Sequence, residues 1–235
     1  RFVFRYSDFG FMNVPPPARL AMHGVSKRFG ATVALDGVDF CVQPGEVHGL
    51  VGENGAGKST LMKVLSGVVP ADRGSMSIDG APYAPPNPLA ARRAGVCMIY
   101  QELSLAPHLS AEQNVLLGVE PSRFGWLEGR EVRRRARQAL EQLGHEEMPM
   151  TVPVGQLPVG AQQLVEIARA VAVGCRVLVL DEPTSRLGRS DVSHLFELIR
   201  RLSAQQLGIV YISHFIEEVE TIADRFTVLR DGRNA

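Results

Sequence analysis

The chain has 235 residues, enough for one large domain or two small ones, and 45% of them are hydrophobic. Its 25 Lys and Arg balance its 25 Asp and Glu, so the formal net charge is zero and provides no electrostatic case for nucleic-acid binding. No uninterrupted apolar stretch approaches the roughly 18–20 residues that a membrane-spanning helix needs. The composition therefore predicts a soluble globular protein.

The N-terminal residues show no pattern typical of a folded element. Residues 1–17 also lack the apolar core of a signal peptide, so we expect a disordered arm or a remnant of expression. Cys41, Cys97 and Cys175 lie far apart and have no C-x-x-C spacing. We expect each of them to be a small buried apolar residue in a reducing cytosol.

Short strands are predicted after this arm. Residues 20–25 and 38–42 alternate apolar and polar side chains, as half-buried strands do. Pro44 and Gly45 predict a turn, and the apolar run that follows at 46–51 predicts a buried strand.

A phosphate-binding loop follows this strand. Eight residues, with Thr60 after them, fit the pattern G-x-x-x-x-G-K-[ST]: Gly52-Glu53-Asn54-Gly55-Ala56-Gly57-Lys58-Ser59. Residues 58–65 predict a helix, and the glycines let backbone N–H groups point at phosphate oxygens at its positive end. We expect Lys58 to reach the β- and γ-phosphates and the Ser59 hydroxyl to ligate Mg²⁺. The loop predicts that the chain binds a nucleoside triphosphate.

Composition adds a second argument for Lys58. The chain has only three lysines, at positions 27, 58 and 63, among its 25 basic residues. A lysine in this loop therefore indicates a need for a compact ammonium group, which a planar guanidinium cannot replace.

Strands and helices alternate along the rest of the chain. Strands are predicted at 74–78, 96–100, 176–180, 209–212 and 226–229, and helices at 130–143, 160–173, 191–204 and 215–223. This alternation predicts an α/β fold, a parallel sheet with helices on both faces. The helices between about 103 and 165 predict an inserted subdomain.

One predicted helix carries an arginine cluster. Arg133, Arg134, Arg135 and Arg137 could form a nucleic-acid site or a solvated helix face. We favour the solvated face, because Glu131 and Glu141 each lie four residues from an arginine.

An acidic pair ends the apolar strand near residue 180. A carboxylate at the end of a buried strand beside a phosphate loop can hold Mg²⁺ through water, and Asp181 fits that role. The neighbouring Glu182 is then the candidate general base that polarises the attacking water. Acidic pairs are common at strand ends, so the prediction depends on the loop as well.

Together these residues resemble the nucleotide-binding domain of ATP-binding-cassette (ABC) proteins, over about residues 19–235. The resemblance also rests on Gln101 after a predicted strand, LPVGAQQ at 157–163, VLVLDEPTS at 177–185 and His214 after Tyr-Ile-Ser. Fragments such as VGENGAGKSTLMKVLSG resemble the first half of the tandem ATPase subunits of bacterial importers of ribose, galactose or xylose type.

The resemblance implies an α/β P-loop NTPase fold. Its sheet is mainly parallel, with an N-terminal antiparallel β part and an inserted α-helical subdomain. Residues 18–235 form one nucleotide-binding domain in this interpretation. The abrupt end at Ala235 agrees with the first half of a longer tandem chain.

The resemblance also implies roles for single residues. Phe29 stacks on adenine, although ordinary edge packing is an alternative for it. Gln101 bridges Mg²⁺ or the attacking water, and segment 102–120 contacts a membrane subunit. His214 contacts the γ-phosphate and holds Glu182 in line with the water, although a lone histidine can also be structural. The implied catalytic residues are Lys58, Gln101, Glu182 and His214, and the implied metal ligands are Ser59, Gln101 and Asp181.

The chain departs from the family pattern in a motif that contacts the nucleotide of the opposite cassette. The motif reads Leu157-Pro158-Val159-Gly160-Ala161 where the family has LSGGQ or LSVGQ. Pro158 has neither a hydroxyl nor an N–H donor, and each lost charge-assisted hydrogen bond costs about 1.5–3 kcal/mol. Arg186 also replaces a small residue. We expect an asymmetric pair, in which the site built on Lys58 hydrolyses ATP and the site completed by Pro158 is weak or silent.

The leading hypothesis is an ATPase that drives import of a sugar, most simply a monosaccharide. Its expected partners are transmembrane permease subunits, a second cassette in the same longer chain or a homodimer, and indirectly a periplasmic sugar-binding protein. Its expected place is the cytoplasmic face of the bacterial inner membrane, bound peripherally. Two alternatives are a soluble cassette ATPase that acts on nucleic acid, which the zero net charge disfavours, and a regulatory subunit with little turnover, which Pro158 suggests.

Overall fold

The computed structural model describes residues 17–123 and 126–235, and nearly all of the predicted arm at 1–17 lies outside these ranges. The strands are β1 (Leu20–Phe29), β2 (Thr32–Val42), β3 (Val47–Val51), β4 (Arg73–Ile78), β5 (Ala81–Pro82), β6 (Val96–Ile99), β7 (Ser122–Arg123), β8 (Trp126–Leu127), β9 (Val177–Asp181), β10 (Gly208–Ile212), β11 (Arg225–Arg230) and β12 (Arg233–Asn234). The helices are α1 (Lys58–Leu65), α2 (Pro88–Arg93), α3 (Ala111–Leu116), α4 (Gly129–Leu143), α5 (Val159–Ala172), α6 (Arg189–Ala204) and α7 (Ile216–Ile222).

A six-stranded sheet forms the centre, in the order β12-β11-β3-β10-β9-β6. All neighbouring strands in it are parallel except β12, which pairs antiparallel with β11. Ile212 at the end of β10 lies opposite both Leu50 and Asp181, and Ile99 lies opposite Leu180. The carboxyl ends of the strands are therefore level, which brings the segments that follow them to one edge. The predicted mainly parallel sheet is confirmed.

A second sheet holds the antiparallel part that the resemblance implied. Its order is β2-β1-β4-β5, and all its pairs are antiparallel. A small β7–β8 pair is separate.

The central sheet separates two apolar cores. Side chains of a strand alternate between its faces, so Val177 and Val179 enter one core whereas Leu178 and Leu180 enter the other. The first core is closed by α1, α2 and the antiparallel sheet, and the second by α3 to α7. All four residues are fully buried. The prediction of helices on both faces is confirmed.

The middle of the chain packs as a group of helices. Helix α4 buries one side, formed by Ala136, Ala139, Leu140 and Leu143. It ends at Gly144, whose φ of 75° is left-handed, as is common for a helix-ending glycine. Helices α3, α4 and α5 contact one another.

The arginine cluster on α4 lies on its solvent-exposed side. Arg134 and Arg135 both pair with Glu131, at 2.5 and 2.8 Å, and Arg133 pairs with Glu112 at 3.0 Å. These pairs agree with the interpretation of a solvated helix face.

Two short helices and one cysteine differ from the predictions. Helices α2 and α3 were not predicted, because six residues are too few for a periodic pattern. The capping residues could have indicated where these helices begin. Asn87 accepts a hydrogen bond from the Ala90 N–H, and Ser110 forms a capping box with Gln113. The expectation that all three cysteines are buried is wrong for Cys41, which is only partly buried on β2 and accepts a hydrogen bond from Gln43.

Among the described residues, none of the helices combines the length and the apolar character that crossing a membrane requires.

Candidate nucleotide-binding site

The phosphate-binding loop connects β3 to α1 at the carboxyl edge of the central sheet. Gly52 and Gly57 have φ angles of 156° and 107°, in the region that favours glycine. A Cβ atom at Gly52 would lie 2.5 Å from the Leu229 carbonyl oxygen, and one at Gly57 would lie 2.9 Å from that of Ala34. The close approach of neighbouring strands therefore requires glycine at both ends of the loop.

Lys58 closes the concave side of this loop. Its ammonium group donates hydrogen bonds to the carbonyl oxygens of Gly52, at 2.5 Å, and Glu53, at 3.1 Å. Helix α1 begins at Lys58 with no side-chain cap and no acidic residue in its first turn. Its first backbone N–H groups thus remain available to an anion, and the helix dipole favours negative charge there.

Asp181 is the last residue of β9 and lies partly buried at the same edge. Burial and the neighbouring Glu182 raise the pKa of Asp181, whereas the Lys58 ammonium lowers it. A divalent cation would stabilise the ionised form of such a carboxylate. Ser59, Gln101 and Asp181 offer oxygen atoms, the ligands that Mg²⁺ prefers.

The described residues contain no cluster of three His, Cys, Asp or Glu side chains that could hold a metal alone. This agrees with Mg²⁺ sites that use one or two carboxylates and take their remaining ligands from water and substrate phosphates. The residues present thus fit a Mg²⁺ ion that arrives with a nucleotide.

Glu182 and His214 face each other across the ends of β9 and β10. The Nδ1 atom of His214 lies 3.1 Å from Oε1 of Glu182. Glu182 has a φ of 46°, left-handed and uncommon for a residue with a side chain, and its N–H donates to the Ile212 carbonyl at 2.9 Å. The hydrogen bond and the contact with His214 support this backbone conformation. A carboxylate fixed in this way can accept a proton from water.

The sequence interpretation missed Glu218, which links the loops that carry Glu182 and His214. One oxygen of its carboxylate accepts hydrogen bonds from the hydroxyls of Thr184, Tyr211 and Ser213, at 2.8–2.9 Å. Thr184 lies two residues after Glu182, and Ser213 directly precedes His214. Burial and the Glu218 hydrogen bond raise the pKa of Tyr211, so its hydroxyl remains a donor.

A helical pattern could have indicated Glu218. It lies four residues before the buried Ile222 on α7, so both face the interior, whereas Glu217 is exposed. Gln163 was also missed: its side-chain amide donates to the Pro183 carbonyl at 3.0 Å and connects α5 to the loop after Glu182.

The remaining predicted residues lie on several elements. Gln101 lies two residues beyond Ile99, which pairs with Leu180, so it follows the strand beside β9 at the same edge of the sheet. Gly52, Glu53 and His214 line one cavity of about 450 Å³.

Phe29 ends β1 and is 47% exposed, with the Lys27 ammonium 5.6 Å from its ring centroid. Exposure leaves this ring free to stack. Asn54, Gly55, Ala56 and Thr60 complete the predicted loop and the start of α1.

The contact motif at 157–161 lies elsewhere. Pro158 is the N-cap of α5 and makes no side-chain cap hydrogen bond. Pro158, Gly160 and Ala161 line a separate cavity of about 200 Å³. The next motif residue, Val159, is 43% exposed. Arg186 is also exposed, with Nη2 3.7 Å from Oε1 of Glu102.

Comparison with known proteins gives a family match. A family model described as ABC transporter matches residues 35–185. A ribose import ATP-binding protein of Rubrobacter xylanophilus is 49% identical over 214 residues, which are 91% of this chain and 43% of that protein. One from Burkholderia pseudomallei is 51% identical over 223 residues, 93% of this chain and 43% of that protein. The chain thus spans less than half the length of these relatives.

Solved structures agree. An ATP-binding cassette of an ABC transporter in its ADP conformation superposes with a TM-score of 0.82 at 26% identity, covering 93% of this chain and 89% of that chain. A dimeric bacterial ABC transporter cassette superposes with a TM-score of 0.75 at 26% identity, covering 92% of this chain and 96% of that chain.

Proposed function

Because the chain belongs to the ABC transporter family of ATP-binding cassettes, we propose that it binds MgATP and hydrolyses it to ADP and phosphate to drive sugar import. The relatives named above are ribose import ATP-binding proteins, which supports a monosaccharide as the transported sugar. The contact between Glu182 and His214, 3.1 Å apart beside the phosphate loop, is the observation that carries the proposal.

Each residue of the site has one role in this proposal. Lys58 and the backbone of residues 52–60 bind the β- and γ-phosphates, and Phe29 stacks on adenine. Glu182 accepts the proton of the attacking water. His214 orients that carboxylate and contacts the γ-phosphate.

Ser59, Gln101 and Asp181 would hold Mg²⁺ in this site. The ion, when bound, neutralises charge on the β- and γ-phosphate oxygens. Gln101 also adjoins the attacking water and reports the state of the site to the segment 102–120, which contacts a membrane subunit.

The partners follow from the same proposal. The cassette works at the cytoplasmic face of a bacterial inner membrane with transmembrane permease subunits and, indirectly, a periplasmic sugar-binding protein. Residues 18–235 form the nucleotide-binding domain, with a helical subdomain at about 103–165. A second cassette, in the same longer chain or in a homodimer, closes on it when ATP binds and opens after hydrolysis.

Glu182→Gln tests the proposal. The amide cannot accept the proton, so the variant should bind MgATP as the parent protein does and lose at least about a hundredfold in steady-state phosphate release. Glu217→Gln, an exposed substitution on α7, is the matched control and should keep parent turnover. Turnover retained in Glu182→Gln would contradict the assignment of the base.

A second candidate function, a regulatory nucleotide-binding subunit with little turnover, is favoured by Pro158 alone. The two differ in the parent protein: phosphate release in the presence of the membrane subunits supports the transport ATPase, and nucleotide binding without phosphate release supports the regulatory subunit.

A further inference from the structure

A pair of cysteine thiols lies outside the nucleotide site, on one face of the central sheet. Cys97 is on β6, and Cys175 lies just before β9, the strand that pairs with β6. Each is 7% exposed, and both belong to the apolar core that α3 to α7 close. The fold thus brings together two nucleophilic side chains that the proposed ATP hydrolysis does not use.

Backbone hydrogen bonds hold the segments of the two cysteines against each other. The Gly95 carbonyl oxygen accepts the N–H groups of Arg176 and Val177, at 2.7 and 2.9 Å. The thiols of Cys97 and Cys175 are within hydrogen-bonding reach, and the Cys97 backbone N–H is directed at the Cys175 sulfur. Sulfur atoms in this contact need only a local movement to form a bond.

A cavity of about 240 Å³ between α2, β6 and α5 gives small molecules access to Cys97, which lines it. Tyr100 and Ser104 at its rim are exposed, so the cavity opens to solvent on that side. A water molecule needs only about 10–15 Å³ of such volume, so hydrogen peroxide also fits.

The cavity also supplies positive charge to Cys97. Arg92 lines it, and the Nη2 atom of Arg92 is inaccessible to solvent and has no hydrogen-bond partner among the described residues. Glu166 acts on both Arg92 and Arg169, and Glu120 acts on Arg169 as well, but the charge that acts on Cys97 is that of Arg92. Because a buried charged donor without a partner is destabilising, an anionic sulfur at Cys97 would be stabilised there.

The two thiols differ in acidity. A hydrogen bond from the Cys175 thiol lowers the pKa of Cys97, burial opposes this, and the Arg92 charge lowers the pKa further. The same hydrogen bond and burial raise the pKa of Cys175. Burial and the nearby Cys97 raise the pKa of Tyr83, so its hydroxyl stays neutral. Since the thiolate is the reactive form, Cys97 should react first.

We propose that Cys97 and Cys175 form a redox pair that hydrogen peroxide oxidises to a disulfide. The Cys97 thiolate attacks one peroxide oxygen, the O–O bond breaks, and the sulfur becomes a sulfenic acid while hydroxide leaves. The Cys175 sulfur then attacks the Cys97 sulfur, so that the S–S bond forms as the S–O bond breaks. The hydroxide groups released take up the two thiol protons, so two thiols and one peroxide give one disulfide and two waters.

The site is separate from the nucleotide site, so it can be tested whether or not the chain hydrolyses ATP. Intracellular disulfides are usually transient, and a dithiol reverses them by exchange. The pair therefore differs from a structural disulfide, because both thiols are reduced in the resting protein.

Cys41 provides an internal comparison. It lies on β2 in the other sheet, is more exposed than either member of the pair, and contacts Gln43 and Arg225 rather than a thiol. If exposure alone determined the reaction, Cys41 would be oxidised first. The redox pair predicts the opposite order.

The parent protein is treated with increasing hydrogen peroxide, its free thiols are blocked with iodoacetamide during denaturation, and it is digested without a reductant. We expect a peptide pair joined through Cys97 and Cys175, identified by mass spectrometry, to form about tenfold faster than Cys41 is oxidised. Dithiothreitol should restore both thiols. Earlier oxidation of Cys41, or a pair that stays reduced in the folded protein, would overturn the proposal.

Cys175→Ala separates the two steps. Without the second thiol, Cys97 should stop at the sulfenic acid, which dimedone traps as the protein is denatured. Cys41→Ala is the matched control and should form the disulfide as the parent does. A sulfenic acid at Cys97 without any disulfide in the parent protein would contradict the role of Cys175.

Arg92→Gln tests the charge in the cavity. Disulfide formation should slow about tenfold, because the Cys97 thiolate loses its positive neighbour, and Arg92→Lys should restore most of the rate. Arg93→Gln, next on the same helix and exposed, is the matched control and should react as the parent does. Equal rates in Arg92→Gln and Arg93→Gln would contradict activation of Cys97 by Arg92.

Discussion

Two regions of the chain, for both of which we propose a role in nucleotide chemistry, differ in how many of the expected residues they contain. At the carboxyl edge of the central sheet, Lys58, Asp181, Glu182 and His214 are all present, and Glu218 connects the loops that carry the last two. At the start of α5, the contact motif has a proline where the family has a serine. The chain therefore keeps the residues predicted for its own site, whereas we expect a weakened surface toward another cassette.

The difference has a physical reason. The Glu182–His214 pair is supported from inside, because buried hydroxyl residues and the partly buried Glu218 carboxylate hold both loops. Residues 158–161 begin a helix whose N-cap makes no side-chain hydrogen bond, and Val159 is largely exposed. Packing therefore constrains the first region strongly, and the motif only where it enters the core, at Leu157.

The largest expected effect comes from a substitution at the carboxyl edge of the central sheet. Lys58→Ala removes the ammonium group from the phosphate loop, and MgATP affinity should fall by about a hundredfold or more, because a charge-assisted contact in a preorganised site is lost. Titration calorimetry measures it. Lys63→Ala, exposed on the same helix, is the control and should bind normally. Equal affinities for the two variants would disprove the role of Lys58.

The next largest effect is expected from a substitution that restores the contact motif at 157–161. Pro158→Ser restores a hydroxyl and an N–H at the N-cap of α5, and nucleotide affinity at the site shared with the second cassette should rise about tenfold to a hundredfold. Pro158→Ala restores only the N–H and should give a smaller gain. Nucleotide titration of the two-cassette assembly measures both. If both variants keep the nucleotide affinity of the parent protein, the hypothesis of an asymmetric pair is wrong.

Much of this comparison could be predicted from the sequence. The phosphate loop requires a fixed order of glycines and a lysine, and α1 begins and ends where the pattern placed it. The carboxyl-edge location of Asp181, Glu182 and His214 follows from the apolar strands before them, because parallel strands end together.

The supporting contacts could not be predicted in the same way. The helical pattern puts Glu218 on the same side of α7 as the buried Ile222, but its contacts with Thr184 and Tyr211 arise only through tertiary packing. Similarly, Arg92 and Arg169 lie 77 residues apart in the sequence. They line one cavity only because α2 and α5 pack beside β6.

A smaller effect tests whether Glu218 positions the loops that carry Glu182 and His214. Glu218→Gln keeps the shape but loses the charge that accepts three hydroxyls. Turnover should fall about tenfold with MgATP affinity unchanged, because Glu182 and His214 lose alignment while Lys58 does not. Glu217→Gln is again the control. A parallel loss of affinity and turnover would indicate a structural role only.

The smallest expected effect concerns the stability of the central sheet, on which both regions depend. Glu46 lies before β3, at the opposite end of the strand from the phosphate loop, and is buried. Its carboxylate accepts hydrogen bonds from Arg225 at 2.7 and 2.9 Å, and His48 lies 2.9 Å away. Burial alone would raise the pKa of Glu46, but the hydrogen bonds from His48, Arg225 and the Gln43 N–H lower it from 4.5 to about 2.

Because the folded-state pKa of Glu46 lies below its unfolded value, its contribution to stability is complete above about pH 4.5 and is lost as the pH falls toward 2. At pH 3.5 we expect a loss of about 1 kcal/mol from this group relative to pH 7. Urea unfolding at both pH values measures it. Glu46→Gln should be less stable at pH 7 and lose less stability on acidification, whereas Glu102→Gln, which is exposed, should follow the parent. An unchanged acid dependence in Glu46→Gln would exclude the network as its source. A loss of MgATP binding at a higher pH than unfolding would show that acid acts directly on the carboxylates of the nucleotide site. It would then not act through the Glu46 network.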